Sequence, residues 1–413
     1  MIAAGVLDHH GATTNFPAPL FSAPLLSDLS LTAGSGSLSL TRTTAGSYIA
    51  SGGNITQASS GAGRFSYDPS GVRQIGIVLC AAVTNKIRQS EVFSTTWAKV
   101  TSNTVTDNTD VAPDGATTAD TITSAAANST AYMGQSNTVS AATAYAFNVF
   151  AKAGTNFLTG LRLSGLINSG DSNDPGAHLG THLPYWYPHT SGVVLTMRTV
   201  EYQNGWLRLQ MKATSEASPS SNQQIHLLHG LAGVSGAVGN FPAGRTHKIW
   251  GAMLVPAAFT PLYFPTTTAD VTQNKDVLSV TTTNNCPTND FAVALKWTPI
   301  DWGMGTVFLW GTYVDASNYT AILHDGTNLI ARRRISGTNH DAVIACSYPA
   351  WYTRNIVAVF SSTTGTQIYD QGVAGTADAT TTDCQIGSTM EIGSDGNGSN
   401  QANGAISNFA VYS

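Results

Sequence analysis

Cleaving a glycosidic bond takes two carboxylates flanking it, roughly 5–10 Å apart. "EIGSD" offers one pair, Glu391 and Asp395, which share a strand face if the segment is extended. Gly393 and a Gly-rich loop interrupt that face. No Gly-x-Ser-x-Gly elbow occurs. No residue is singled out as catalytic, and the chain is read as a non-enzyme.

Metal chemistry has one candidate stretch, "DSNDPGAHLGTHLPYWYPHT", with His178, His182 and His189. A three-histidine site needs all three on one face and a fourth ligand. Pro184, Pro188 and several glycines make the stretch a long loop, so spacing sets no common face. Asp171, Asn173 and Gly176 follow a calcium loop only in part. Pro175 stands at its fifth position and His182 where the closing Glu belongs. No metal and no cofactor are expected.

The same loop carries the best binding signal. "PYWYPH" sets Tyr185, Trp186 and Tyr187 between prolines, with His189 just beyond. Sugars present apolar C–H faces that aromatic rings can cover, and exposed apolar loops usually mean contact. The competing reading packs these rings on their own domain or on a sister subunit. Trp302 and Trp310 are second candidates, whereas Trp97, Trp206 and Trp250 lie in strand contexts and read as core.

Composition narrows the class. Charged residues make up 10% of the 413, against about 25% in typical soluble domains. Thr, Ser, Asn and Gly supply the polarity instead, which suits strands and turns. A net charge of −5 with no basic face argues against nucleic acid. The one cationic run, Arg332 to Arg334, reads as solvated strand charges. Cys80, Cys286, Cys346 and Cys384 lack CxxC spacing and read as small buried hydrophobes, with a Cys346–Cys384 bridge left open. No segment approaches about 20 apolar residues and the N-terminus lacks a cationic start. The expectation is a chain without signal peptide or membrane span, made in a cytoplasm.

Stepping along the chain, residues 1–40 hold Pro17, Pro19 and Pro24 among Phe16, Leu20, Phe21, Leu25 and Leu26. They predict an extended arm that packs on this chain or on a neighbour. Period-two alternation then runs from "SLSLTRTTAG" to the end, punctuated by "DPSG", "QNG" and "HDGTN" turns. "AVTNKIRQSEVFSTTWAKV" is the best helix candidate and promises one short turn. "FPTTTADVTQN" reads as a short connector. The predicted fold is all-β: an arm over 1–40, then two jelly-roll-like β-sandwich domains over 41–268 and 269–413.

Several segments resemble modular bacteriophage virion proteins. Arg64, Phe65, Tyr67, Asp68, Pro69 and Asn85 match a lead-in stretch. Phe93, Trp97, Pro113, Asp114, Gly115, Ala119 and Asp120 match the start of the next module, and "NGWLRLQM" and "IWGAMLVPAAFTPLYFPT" match its later strands. That module is similar to phage head-spike and fibre domains and to carbohydrate-binding-module jelly rolls. The C-terminal part, closing on "EIGSDGNGSNQANGAISNFAVYS", resembles concanavalin A-like or laminin-G-like sandwiches. Hydrolases of that fold often carry Glu-x-Asp-x-x-Glu, which is absent here. The resemblance implies a virion head fibre, decoration or tail fibre, its arm docked on capsid or tail proteins, its loops touching host glycans. It also implies a homo-oligomer, with a trimer suspected. A tailspike-type polysaccharide-degrading enzyme and a cellular lectin-like protein are the alternatives.

Overall fold

The computed structural model describes residues 17–100, 103–124, 132–156, 158–164, 176–178, 183–185, 196–219, 224–228 and 243–413. The chain is all-β, built from antiparallel sheets packed as two sandwiches.

The first sandwich pairs two six-stranded sheets. One runs in the order Thr196–Glu201, Leu207–Thr214, Ala144–Ala153, Thr246–Val255, Ala119–Thr123, Thr104–Asp110. The other contains Leu158–Ser164, Gln224–Leu228 and Tyr132–Ser136 at its centre. Between them lie Phe147, Val149, Leu207, Leu209 and Met211, facing Met133 and Leu161. Alternate residues point the other way, so Trp206 and Phe150 leave this core for a second one. Asn204 and Gly205, at φ 59° and 75°, make the tight "QNG" reversal, the only helical turn among the described residues. The helix candidate forms none: residues 81–100 hold two short strands, Val83–Asn85 and Ala98–Val100.

The second sandwich pairs an eight-stranded and a seven-stranded sheet. Phe291–Pro299 and Gly404–Tyr412 are central in the first; Thr389–Ile392 and Val307–Asp315 are central in the second. Their inner faces bury Val293, Leu295, Trp297, Trp310, Ile356 and Phe360. Four of the fifteen strands come from the far end of the sequence: Phe21–Ala23, Ser39–Thr41, Phe65–Tyr67 and Gln74–Leu79. The described part of the arm, residues 17–40, thus lies on this chain, with Phe21 in register with Val411 and its ring 5.9 Å from that of Phe409. Gly76 (φ +116°) is required where Gln74–Leu79 crosses the C-terminal strand. A Cβ there would collide with the Ile406 carbonyl and lie 2.8 Å from Ser407 Cβ.

The chain leaves the second sandwich through Val83–Asn85 and returns through Val271–Gln273, and these two passages pair with each other. The "FPTTTADVTQN" connector is therefore half of a ribbon. At its end Asp276 is fully buried. It accepts from Arg42 Nη1 at 2.9 Å, from Arg64 Nη2, and from the Cys80 amide at 2.9 Å. Other guanidinium donors go to carbonyls of Thr44, Ser59 and Ala62 from Arg42 and of Ser47 from Arg64, while Arg64 Nε stays buried without a partner among the described residues. Burial pushes the neighbouring Cys80 thiol up to about 11.

A third core seals the joint. Phe150, Trp250 and Tyr263 cluster at 4.5–6.1 Å between ring centroids, packed with Ile75, Val78 and Ala405 from the second sandwich. An apolar interface of this kind holds two units in a fixed relation. Lys212 adds a 2.7 Å ion pair to fully buried Asp301 across it.

Two smaller expectations change. Arg333 is not solvated: it is 1% exposed and donates to carbonyls of Thr380 and Thr382. Arg332 instead grips Asp341 bidentately, at 2.8 and 2.7 Å. All four cysteines are free and buried, so no Cys346–Cys384 bridge forms.

Removing one member of a buried ion cluster leaves the others charged and unpaired, at a cost of about 3–5 kcal/mol. Asp276→Ala should lose that much stability in urea unfolding and should split the transition, the two sandwiches no longer melting together.

Candidate functional site

The sequence candidates separate in space. Trp186, Tyr187, His189 and His182 lie outside the described residues. Tyr185 ends the strand Leu183–Tyr185 and His178 ends Gly176–His178, two neighbouring strands of one sheet. Trp302 is 9% exposed and sits at the joint, with Lys212 Nζ 4.1 Å and the Arg198 guanidinium 4.7 Å from its ring centroid. Trp310 is fully buried in the second core and has no face to offer. Trp97, Trp206 and Trp250 are core, as expected.

Glu391 and Asp395 do not form an acid pair open to a substrate. Glu391 is 7% exposed and accepts from Ser394 Oγ at 2.5 Å and the Gly398 amide at 2.8 Å. Asp395 accepts from the amides of Asn397 and Ser399 at 2.9 and 3.0 Å. Both carboxylates shape their own loop.

The motif residues behind the phage resemblance are also structural. Asp120 takes the Phe93 and Asn108 amides at 2.9 and 3.0 Å, and burial pushes its carboxyl up to about 6. The Phe93 and Trp97 rings lie 5.1 Å apart, their planes tilted. Asn85 donates to the Phe264 carbonyl and accepts from the amides of Ile87 and Leu254. Arg64 belongs to the Asp276 cluster.

A cleft of about 680 Å³ opens instead on the outer face of the eight-stranded sheet, where the arm and the "DPSG" hairpin border the strands. Its floor is polar because alternation on a sandwich strand turns every second residue outward. Leu295 and Trp297 face the core, so Lys296 faces out; in register beside it stand Asn355 on one neighbour and Ser407 on the other. A bulge between the Ala294 and Lys296 pairings inserts an extra residue next to Asn408, at φ 50°. The Asn408 amide bonds the Pro24 carbonyl at 2.8 Å, tying the arm to the cleft's edge.

One wall is the loop "YPAWYTR". Trp351 is held at φ 67°, a conformation that bulky residues seldom adopt. Its amide donates to the Pro299 carbonyl at 2.7 Å, and its carbonyl accepts from Arg73 Nη2 at 2.6 Å. Arg73 also donates to Thr353 Oγ1 and lies 3.4 Å from Asp68, so the hairpin clamps the loop. Tyr352 is 50% exposed, with Arg354 5.1 Å from its ring centroid. Gln371, at φ 51°, bridges Asn355 Nδ2 at 2.8 Å and the Thr353 carbonyl at 3.0 Å. Three non-glycine residues in the left-handed region thus line one cleft. Such outliers concentrate where surrounding structure fixes a site.

The signal for this site is an adjacent Trp-Tyr pair two residues after a proline, nearly the signature of "PYWYPH". Its polar partners come from distant segments and have no local pattern.

No family model matches the chain, and no curated protein matches it. Among solved structures it is similar to a heptameric SAP-like pentraxin from Limulus polyphemus, at 16% identity and a TM-score of 0.24. That match covers 30% of this chain and 64% of the pentraxin, just under two thirds of its length. Domains LG4-5 of the mouse laminin alpha1 chain match at 8% identity and a TM-score of 0.24, over 70% of this chain and 87% of that one. A variant of the GH43 protein BlXynB from Bacillus licheniformis matches at 12% identity and a TM-score of 0.20, over 73% and 72%. At these scores the likenesses carry no weight for function.

Arg73→Ala removes the clamp on the aromatic loop. Amide exchange of residues 350–353 should quicken, measured by mass spectrometry, while global stability moves by no more than about 0.5 kcal/mol, as for an ordinary surface site.

Proposed function

We propose that this chain is a non-catalytic, glycan-binding surface protein of a bacteriophage particle: a head fibre, decoration or tail fibre, assembled as a homo-oligomer. The observation that carries the binding part is the cleft. It joins an exposed Tyr352 ring and the neighbouring Trp351 to a floor of Lys296, Asn355, Gln371, Ser407 and Asn408. Aromatic faces cover the apolar face of a sugar, while amides and hydroxyls take its hydroxyl groups. This is the usual make-up of a small-ligand site, a concave surface with a few convergent polar groups.

Binding without turnover is supported by the placement of Glu391 and Asp395, both engaged within their own loop. The particle assignment is supported by the resemblance of residues 64–85 and 93–120 to phage modules. The Tyr185–His189 stretch is a second proposed contact, for a glycan or for a sister subunit.

Two measurements test this reading. Purified phage particles should contain the chain in many copies by mass spectrometry; its absence from them contradicts the particle assignment. On a glycan array the chain should bind a defined set of oligosaccharides. Tyr352→Ala should weaken that binding about tenfold, some 1.4 kcal/mol, with the melting temperature unchanged. Unaltered affinity in this variant contradicts the cleft.

A further inference from the structure

The cleft is electropositive in a chain that is not. The whole chain carries 24 acidic residues against 19 basic ones. The cleft lining holds Arg73 and Lys296 and no Asp or Glu. These two cations differ in kind. Arg73 is exposed, lies 3.4 Å from Asp68, and spends two donors on the Trp351–Thr353 loop. Its role is to hold the wall. Lys296 is half-buried on a central strand and makes no ion pair among the described residues. Every other neighbour in register is neutral: Asn355 on one side and Ser407 on the other.

Several polar groups of the lining have no bond to a described residue. Trp351 Nε1–H is buried and without a protein partner. Ser407 is 4% exposed, lines the same cleft, and its hydroxyl bonds to no described residue. The amide groups nearby are mostly committed: Asn355 Nδ2 donates to Gln371, and Gln371 Nε2 donates to the Thr353 carbonyl. What is left over in the lining is the Lys296 ammonium, the Ser407 hydroxyl, the Asn408 side-chain amide and Asn355 Oδ1, so the ammonium is the one charge among neutral groups. Lys296 thus carries a charge that no group in the cleft lining answers. A neutral sugar would supply hydroxyls to these donors but would leave the charge unanswered. An anionic group satisfies both, because charge-assisted hydrogen bonds are roughly twice as strong as neutral ones.

We propose that the cleft takes an acidic glycan, with a carboxylate or phosphate substituent of the sugar seated on Lys296 and the sugar's apolar face against the Trp351–Tyr352 wall. This assignment rests on the reading of the cleft as a glycan site and names its ligand class. It makes Lys296 a specificity-determining residue: it selects among sugars rather than supplying most of the contact area.

Calorimetric titration of the full chain with three probes tests it: an oligogalacturonate, a glycerol-phosphate oligomer carrying sugar, and a neutral oligogalactose. At least one acidic probe should bind about tenfold or more tightly than the neutral one, and which acidic probe wins distinguishes carboxylate from phosphate. Lys296→Gln should erase that preference, the acidic probe then binding no tighter than the neutral one, and Lys296→Arg should keep part of it. Raising salt from about 0.1 to about 0.5 M should weaken acidic binding only. Thermal melting of both variants checks folding. Equal binding of neutral and acidic probes, or a preference that survives Lys296→Gln, overturns the acidic assignment and leaves the glycan reading standing. No binding of any probe by the wild-type chain, with a blank glycan array, overturns both.

Discussion

One buried carboxylate decides how this molecule is joined. Asp276 sits where the chain re-enters the second sandwich, and it holds Arg42 and Arg64, 234 and 212 residues away in sequence. Two guanidinium groups and one carboxylate leave a net positive cluster in a place without water. That cluster is tolerable because four of the spare donors find carbonyls, on Thr44, Ser47, Ser59 and Ala62. The Cys80 amide and carbonyl complete the ring of bonds around Asp276. The outgoing and returning passages can then pair as a ribbon, and the aromatic joint of Phe150, Trp250 and Tyr263 can close over them.

The cleft inherits its shape from that joint. The hairpin whose first strand follows directly on Arg64 carries Arg73 at its turn. The first residue anchors the hairpin inside; the second clamps the aromatic loop outside. The arm contributes from the other edge, through the bond between the Pro24 carbonyl and the Asn408 amide. Trp351, Gln371 and Asn408 can be held in left-handed conformations because these anchors leave little room to relax. Rigidity of this kind favours a binding surface, since less ordering is needed when a ligand arrives.

The all-β class and most strands were legible, because alternation and turn chemistry are local. Asn204-Gly205 and "HDGTN" reverse the chain where their residue types require it. The core tryptophans were legible for the same reason. The placement of the first eighty residues was not. Short strands such as Phe21–Ala23 and Gln74–Leu79 find their partners at the other end of the chain, and no local pattern encodes a partner 325 to 390 residues away. Arg333 was misjudged because a charge on a strand is cheap outside and invisible as a carbonyl-binding residue inside. The cleft was hidden by the same non-locality. Lys296, Asn355 and Ser407 become neighbours only through sheet register, and one bulge at Asn408 sets which of them face the opening.

The central claim is a ligand seated at the cleft rather than on the Tyr185–His189 stretch. A crystal structure of the full chain soaked with the oligosaccharide that binds best tests this most directly. The account predicts ordered sugar density in the cleft, a ring against Trp351 and Tyr352 and an acidic substituent at Lys296. Sugar found only at the Tyr185–His189 loop or elsewhere on the first sandwich, with an empty cleft, would contradict it.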